Sequence, residues 1–212
     1  MTVSYYTIGK DGSAEHLIQK SRFIGYAKRT ETEAAAQEFI REIKKKHHNA
    51  THNCSAYLIG EFDQIQKAND DGEPGGTAGI PMLEVLKKRK LKNVTVVVTR
   101  YFGGVKLGAG GLIRAYSSTT SLVLDTIGLV KRQVMQKYEI KADYSLLGFL
   151  QNEIKNSEFH LHHIDYESKV VLSVFVESGK EESFNKWMVN LTNDQVLITA
   201  GDKIYAEIKI NQ

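Results

Sequence analysis

Val94–Ile127 reads VTVVVTRYFGGVKLGAGGLIRAYSSTTSLVLDTI. Val94–Arg100 is nearly continuous in β-branched residues, as in a strand covered on both faces. Five glycines follow: Gly103, Gly104, Gly108, Gly110 and Gly111. Leu112, Ala115, Tyr116, Thr119, Val123 and Ile127 then recur at helical spacing and make one apolar stripe. A buried strand, a glycine loop and a long amphipathic helix are thus expected in succession. So flexible a loop implies close approach to its backbone or an unusual turn.

Upstream, Val3–Ile8 and Ser21–Lys28 read as strands on either side of the turn signal at Lys10–Ser13. Glu31–Lys46 reads as a helix capped by Thr30 or Thr32. Ala35, Phe39, Ile40 and Ile43 give it an apolar stripe, and Lys44–His47 suit its negative C-terminal end. Cys54–Ile59 is a short buried strand. After the turn-rich Asp70–Pro81, Pro81 fits the first turn of a helix running to about Lys90.

Past Gly128 the pattern changes. Strands are expected at Val134–Asp143, Phe159–Tyr166, Lys169–Glu177 and Val196–Ile210, the last broken at Gly201-Asp202. Helices are expected at Leu146–Asn156 and Glu181–Leu191. That βαββαβ order is the ferredoxin-like pattern. The fold class is therefore α+β, in two domains, 1–133 and 134–212. Charge divides the same way. Residues 1–135 hold 20 Lys and Arg against 13 Asp and Glu, whereas residues 136–212 hold 8 against 12. The basic module suits a polyanion, and solvated faces are the plainer account of the same charges.

No apolar run approaches the roughly 20 residues needed to span a bilayer. The first residues lack the basic start and apolar core of a signal peptide. The single cysteine, Cys54, forms no internal disulfide. A cytoplasmic location with no membrane association is the expectation.

Nine of the 17 glycines fall between Gly72 and Gly111, in two clusters that each precede a helix. Helix N-termini attract anions through free N–H groups. The usual nucleotide loops nevertheless fail. Gly103 and Gly108 match the first part of a Walker pattern, but Ala109 and Gly110 stand where lysine and Ser/Thr belong. The dinucleotide pattern from Gly108 fails at Ile113. What is left is a loop with Arg100, Lys106 and Arg114 among the aromatic Tyr101, Phe102 and Tyr116. Such neighbours suit a nucleic-acid backbone or exposed bases. Equally, the glycines can serve only to let a helix cross tightly over its sheet.

Asp70-Asp71-Gly72-Glu73 offers paired carboxylates for Mg²⁺ or acid–base work. The favoured role is a turn whose carboxylates cap N–H groups, including those of Gly75–Gly79. His47, His48, His52 and Cys54 match no zinc spacing. A buried Cys54 and a hydrogen-bonded histidine are the favoured roles there. His160, His162 and His163 read as a solvated face.

Four segments together resemble the IMPACT/YigZ family: KSRFI at Lys20–Ile24, the HxCxAY segment His52–Tyr57, DDGEPGGTAGIP at Asp70–Pro81, and VVTRYFGGVKLGAGGLIRAY at Val97–Tyr116. Gly75 departs from the serine common in bacterial members. The resemblance implies an N-terminal ribosomal-protein-like β-α-β domain similar to domain four of elongation factor G. It implies a smaller second domain similar to domain five of that factor. It also implies contact with RNA or the ribosome.

The leading expectation is therefore a non-enzymatic nucleic-acid- or ribosome-associated regulator of translation, without cofactor, metal or assigned catalytic residue. Arg100, Tyr101, Lys106 and Arg114 would contact phosphate or bases beside the amides of Gly103, Gly104, Gly108, Gly110 and Gly111. Lys20, Arg22, His52, Asp70, Asp71 and Glu73 form a secondary motif. The alternatives are a metal-dependent hydrolase or peptidase-like enzyme using the Asp70–Glu73 cluster, and a module that binds a protein partner.

Overall fold

The computed structural model describes residues 4–60 and 62–209. They divide into two compact units: residues up to Lys131 together with 208–209, and Arg132–Glu207. Val3 and Ile210, the expected outer ends of the first and last strands, lie outside the described residues.

In the first unit, strands β1 (Ser4–Ile8), β2 (Gly12–Ile18) and β3 (Ser21–Arg29) precede helix α1 (Glu33–Lys46). Then come β4 (His52–Ile59), β5 (Ile65–Asn69), α2 (Gly79–Lys88), β6 (Val94–Tyr101) and α3 (Gly108–Ile127). One antiparallel sheet runs β2-β3-β6-β4-β5. β6 lies at its centre, and its side chains alternate between the faces. Val94, Val96 and Val98 join Cys54, Ala56, Leu58 and the stripes of α2 and α3 in one core. Val97 joins Tyr57, Ile59 and α1 residues Ala36, Phe39, Ile40 and Ile43 in a second. Burial on both sides is why the strand needs no polar alternation.

Thr32 caps α1: its Oγ1 accepts from the Ala35 N–H at 3.2 Å. Ala36 takes the buried place expected for Ala35, which is exposed. The expected stripe of α3 is buried along its length. Where α3 crosses β3, a Cβ on Gly25 would come within 3.1–3.2 Å of Val123 and the Thr119 carbonyl. Two strands were not expected. β2 and β5 are the sheet edges, and their GSAEHLI and IQKAN sequences are too polar to stand out from turns.

The second unit carries β7 (Leu129–Ala142, beginning just before it), α4 (Leu147–Lys155), β8 (His160–Tyr166), β9 (Val170–Glu177), α5 (Glu181–Thr192) and β10 (Leu197–Lys209, ending just beyond it). β9 lies between β7 and β8, and β10 pairs with β7. This is the βαββαβ order expected from the sequence. Tyr138, Ile140, Leu172 and Val174 pack with Leu150 and Ile154 of α4 and with Phe184 and Met188 of α5. The break expected at Gly201-Asp202 is absent, and β10 runs through it. There the Gln136 side-chain amide donates to the Gly201 carbonyl and ties the strand to β7.

Candidate functional site

Strand alternation puts Arg100 on the same face of β6 as Val94, Val96 and Val98, beneath α3. It is 5% exposed. Its Nη1 donates to Glu73 Oε1 at 2.7 Å, and the Tyr116 hydroxyl of α3 donates to the same oxygen at 2.7 Å. The Glu73 side chain is 3% exposed. The rings of Phe23 and Phe102 each lie 5.4 Å from the guanidinium carbon. Arg100 Nε is buried and has no hydrogen-bond partner. A buried guanidinium with only part of its fork engaged keeps donors in reserve. Arg100 was expected as a surface contact; the structure instead places it in an internal ion pair at the bottom of a cleft.

His52 is the register partner of Arg100 on β4. Its Nδ1 lies 2.8 Å from the Asp71 carbonyl oxygen. A carbonyl only accepts, so this contact fixes a proton on Nδ1. Nε2 then faces Glu73 Oε2 at 3.8 Å. His52, Glu73, Arg100, Phe102, Lys106 and Gly108 are among the residues lining a cleft of about 400 Å³.

The start of α3 forms another wall. Leu107 occupies its N-cap position and offers no side-chain cap, so the first N–H groups and the positive end of the helix dipole are left without a protein side-chain acceptor. Two loop glycines have distinct reasons. A Cβ on Gly103 would lie 1.9 Å from the Lys20 carbonyl oxygen, so the loop meets the β2–β3 turn backbone to backbone. Gly108 has φ +70° with open space around it, a turn conformation set where the helix begins. Close approach thus explains one glycine and turn geometry the other. Gly104, Gly108 and Gly110 are exposed, as are Lys106 and Arg114, and Phe102 is 46% exposed.

The sequence-derived residues separate into two groups. Lys20 is exposed, and its backbone adjoins Gly103. Arg22 and Tyr101 belong to the opposite face of the sheet. There the Tyr101 hydroxyl lies 2.8 Å from His47 Nδ1, and Arg22 Nη2 donates to Glu15 at 2.7 Å. The His47 imidazole is held below its usual value by burial, with Lys46 and Arg22 adding to the effect.

The acidic stretch serves internal ends. Asp70 Oδ1 accepts from the Ala78 and Gly79 N–H groups at 3.0 and 2.8 Å, and Oδ2 accepts from Gly76 at 2.8 Å. Burial pushes the Asp70 carboxyl up, but the Gly76, Gly79 and Ala78 donors outweigh it and leave it lowered. Asp71 accepts from Lys44 Nζ and the Asn53 N–H. Among the described residues no three His, Cys, Asp or Glu side chains are grouped to hold a metal ion. The Cys54 Sγ donates to the Asp70 carbonyl, and burial pushes its thiol up to about 12. That suits a packed thiol and not a nucleophile. On β8, His160 and the neighbouring His162 and His163 are exposed.

Residues 19–124, which contain this cleft, match the Impact N-terminal domain. Along its whole length the chain is 54% identical to the IMPACT family member YvyE of Bacillus subtilis, covering 97% of that protein. The chain belongs to the IMPACT family. The IMPACT family member YigZ of Escherichia coli is 31% identical over 86% of this chain and 91% of its own. Residues 140–195 match a domain of unknown function, DUF1949. A crystal structure described as that of a hypothetical protein superposes with TM-score 0.60 at 28% identity, covering 95% of this chain and 99% of its own. No helix among the described residues is long and apolar enough to cross a membrane.

The sequence missed the pairing of Glu73 with Arg100 and Tyr116. One signal for it was present: the period-2 alternation that buries Val94, Val96 and Val98 also carries Arg100 inward.

Proposed function

We propose that this IMPACT-family protein is a non-enzymatic binder of RNA or the ribosome that regulates translation, and that the rim of the α3 cleft is its contact surface. The observation that carries the reading is the exposure of Lys106, Arg114 and Phe102 around the uncapped start of α3. Cations and backbone N–H groups suit phosphates, and an exposed aromatic ring suits an unstacked base. Lys20, brought to the rim by the Gly103 contact, extends the positive surface. Arg100 and Glu73 lie below and act as the frame. The acidic cluster favours binding over hydrolysis, because its carboxylates are committed to N–H groups, Lys44, Arg100 and Tyr116.

The test is fluorescence anisotropy with single-stranded RNA at low salt, alongside co-sedimentation with ribosomes. Wild type should bind in at least one assay, and Lys106→Ala/Arg114→Ala should weaken that binding at least tenfold with an unchanged melting curve. Absence of binding in both assays, or undiminished binding by the double variant, would overturn the assignment.

A further inference from the structure

The rim accounts for Lys106, Arg114 and Phe102 but not for the guanidinium below it. The Arg100 side chain makes one hydrogen bond to protein, through Nη1, among the described residues. Its Nε is buried without a partner, and its Nη2, which is not sealed, makes no hydrogen bond to the described residues and is the donor that the cleft can reach. Leaving such a donor unmade is costly, and more so for a charged group. Glu73 does not satisfy either atom: its Oε1 accepts from Nη1 and from Tyr116, and its Oε2 faces His52 Nε2 at 3.8 Å. The free first-turn N–H groups of α3 border the same cleft, with Lys106 at its mouth. Three kinds of donor thus surround a space of about 400 Å³ with an aromatic ring at the edge. That is room for one phosphorylated nucleoside.

We infer that the cleft is a phosphomonoester site, which takes the terminal phosphate of a single nucleotide unit on Arg100 and the α3 N-terminus while its base stacks on Phe102. The inference rests on the nucleic-acid reading for one of its two sources, the 5′-phosphorylated end of an RNA strand. The other source is a free nucleoside monophosphate, and the chemistry recognised is the same. Glu73 and Tyr116 are positioning residues: Glu73 holds Nη1 and Tyr116 holds Glu73, which leaves Nη2 for the ligand. An internal phosphodiester is a poorer fit, because it carries one charge fewer than a terminal phosphate.

The experiment compares RNA oligonucleotides of one sequence bearing 5′-phosphate or 5′-hydroxyl, together with adenosine monophosphate, by isothermal titration at constant salt. Three proteins are used: wild type, Arg100→Lys and Ala109→Pro. The first variant keeps a charge beside Glu73 but loses the planar fork. The second removes one first-turn N–H, a group that has no partner within the helix. Thermal melts establish that each is folded. Wild type should prefer the 5′-phosphate at least tenfold, and each folded variant should lose most of that preference; a preference kept by folded Arg100→Lys overturns the site. Equal binding of the two strands without binding of the monophosphate overturns the site and leaves the rim reading standing. Binding of the monophosphate alone, dependent on Arg100, supports the site and overturns the nucleic-acid reading. Loss of all binding overturns both.

Discussion

Arg100 and Glu73, 27 residues apart in sequence, meet at 2.7 Å with their side chains 6% and 3% exposed. The pair joins the end of β6 to the loop before α2, and Tyr116 adds α3 to the same carboxylate oxygen. Removing one partner strands a buried charge, whereas removing both does not. Glu73→Ala should therefore cost about 3–5 kcal/mol. Arg100→Met/Glu73→Leu should recover most of that loss. Urea unfolding of the three proteins checks it, and a double variant no more stable than Glu73→Ala would show that the pair is not the stabilising unit.

Two glycines of one loop should respond very differently. Gly103→Ala forces a methyl onto the Lys20 carbonyl, a backbone atom that cannot turn aside, and should cost more than about 3 kcal/mol or prevent folding. Gly104→Ala meets nothing within 4 Å but sits at φ +84°, so about 1 kcal/mol is expected. Melting temperatures of the two variants decide the order.

Alkaline conditions should loosen the protein before they unfold an ordinary chain. Burial pushes the Cys54 thiol from 9.0 up to about 12. Burial and the Glu33 hydrogen bond push the Tyr57 phenol from 10.0 to about 12. The unfolded chain loses these protons first, so their stabilising contribution is complete below pH 9 and is lost as pH rises toward 12. Denaturant midpoints from about pH 8 to 11 should fall steadily, and Cys54→Ala/Tyr57→Phe should flatten the decline. At about pH 8 the native Cys54 should resist a thiol reagent that titrates it at once in urea.

The sequence carried much of the fold because the two strongest signals are local. Val94–Val98 is apolar on both faces since each face meets helices, and the stripe from Leu112 to Ile127 has one period throughout. The edge strands β2 and β5 escaped because an edge is half solvated and uses the same polar residues as a turn. The site was legible in its parts. Lys106, Arg114 and the glycines of the rim could be picked out by composition. The burial of Arg100 could not: composition puts a positive charge beside a glycine loop at the surface, and only the strand alternation that carries it inward argued otherwise. Tyr101 was misleading for a related reason: it follows Arg100 directly, so strand alternation sends it to the other face.

Whether the α3 rim meets nucleic-acid phosphates is read from the salt dependence of RNA binding. Each phosphate contact to a single strand contributes a slope of about −0.7 to log affinity against log salt. Wild type should show a steep slope, and Lys106→Ala/Arg114→Ala should make it shallower by about 1.4, two contacts' worth. An identical slope for wild type and double variant would mean that the rim cations make no phosphate contact.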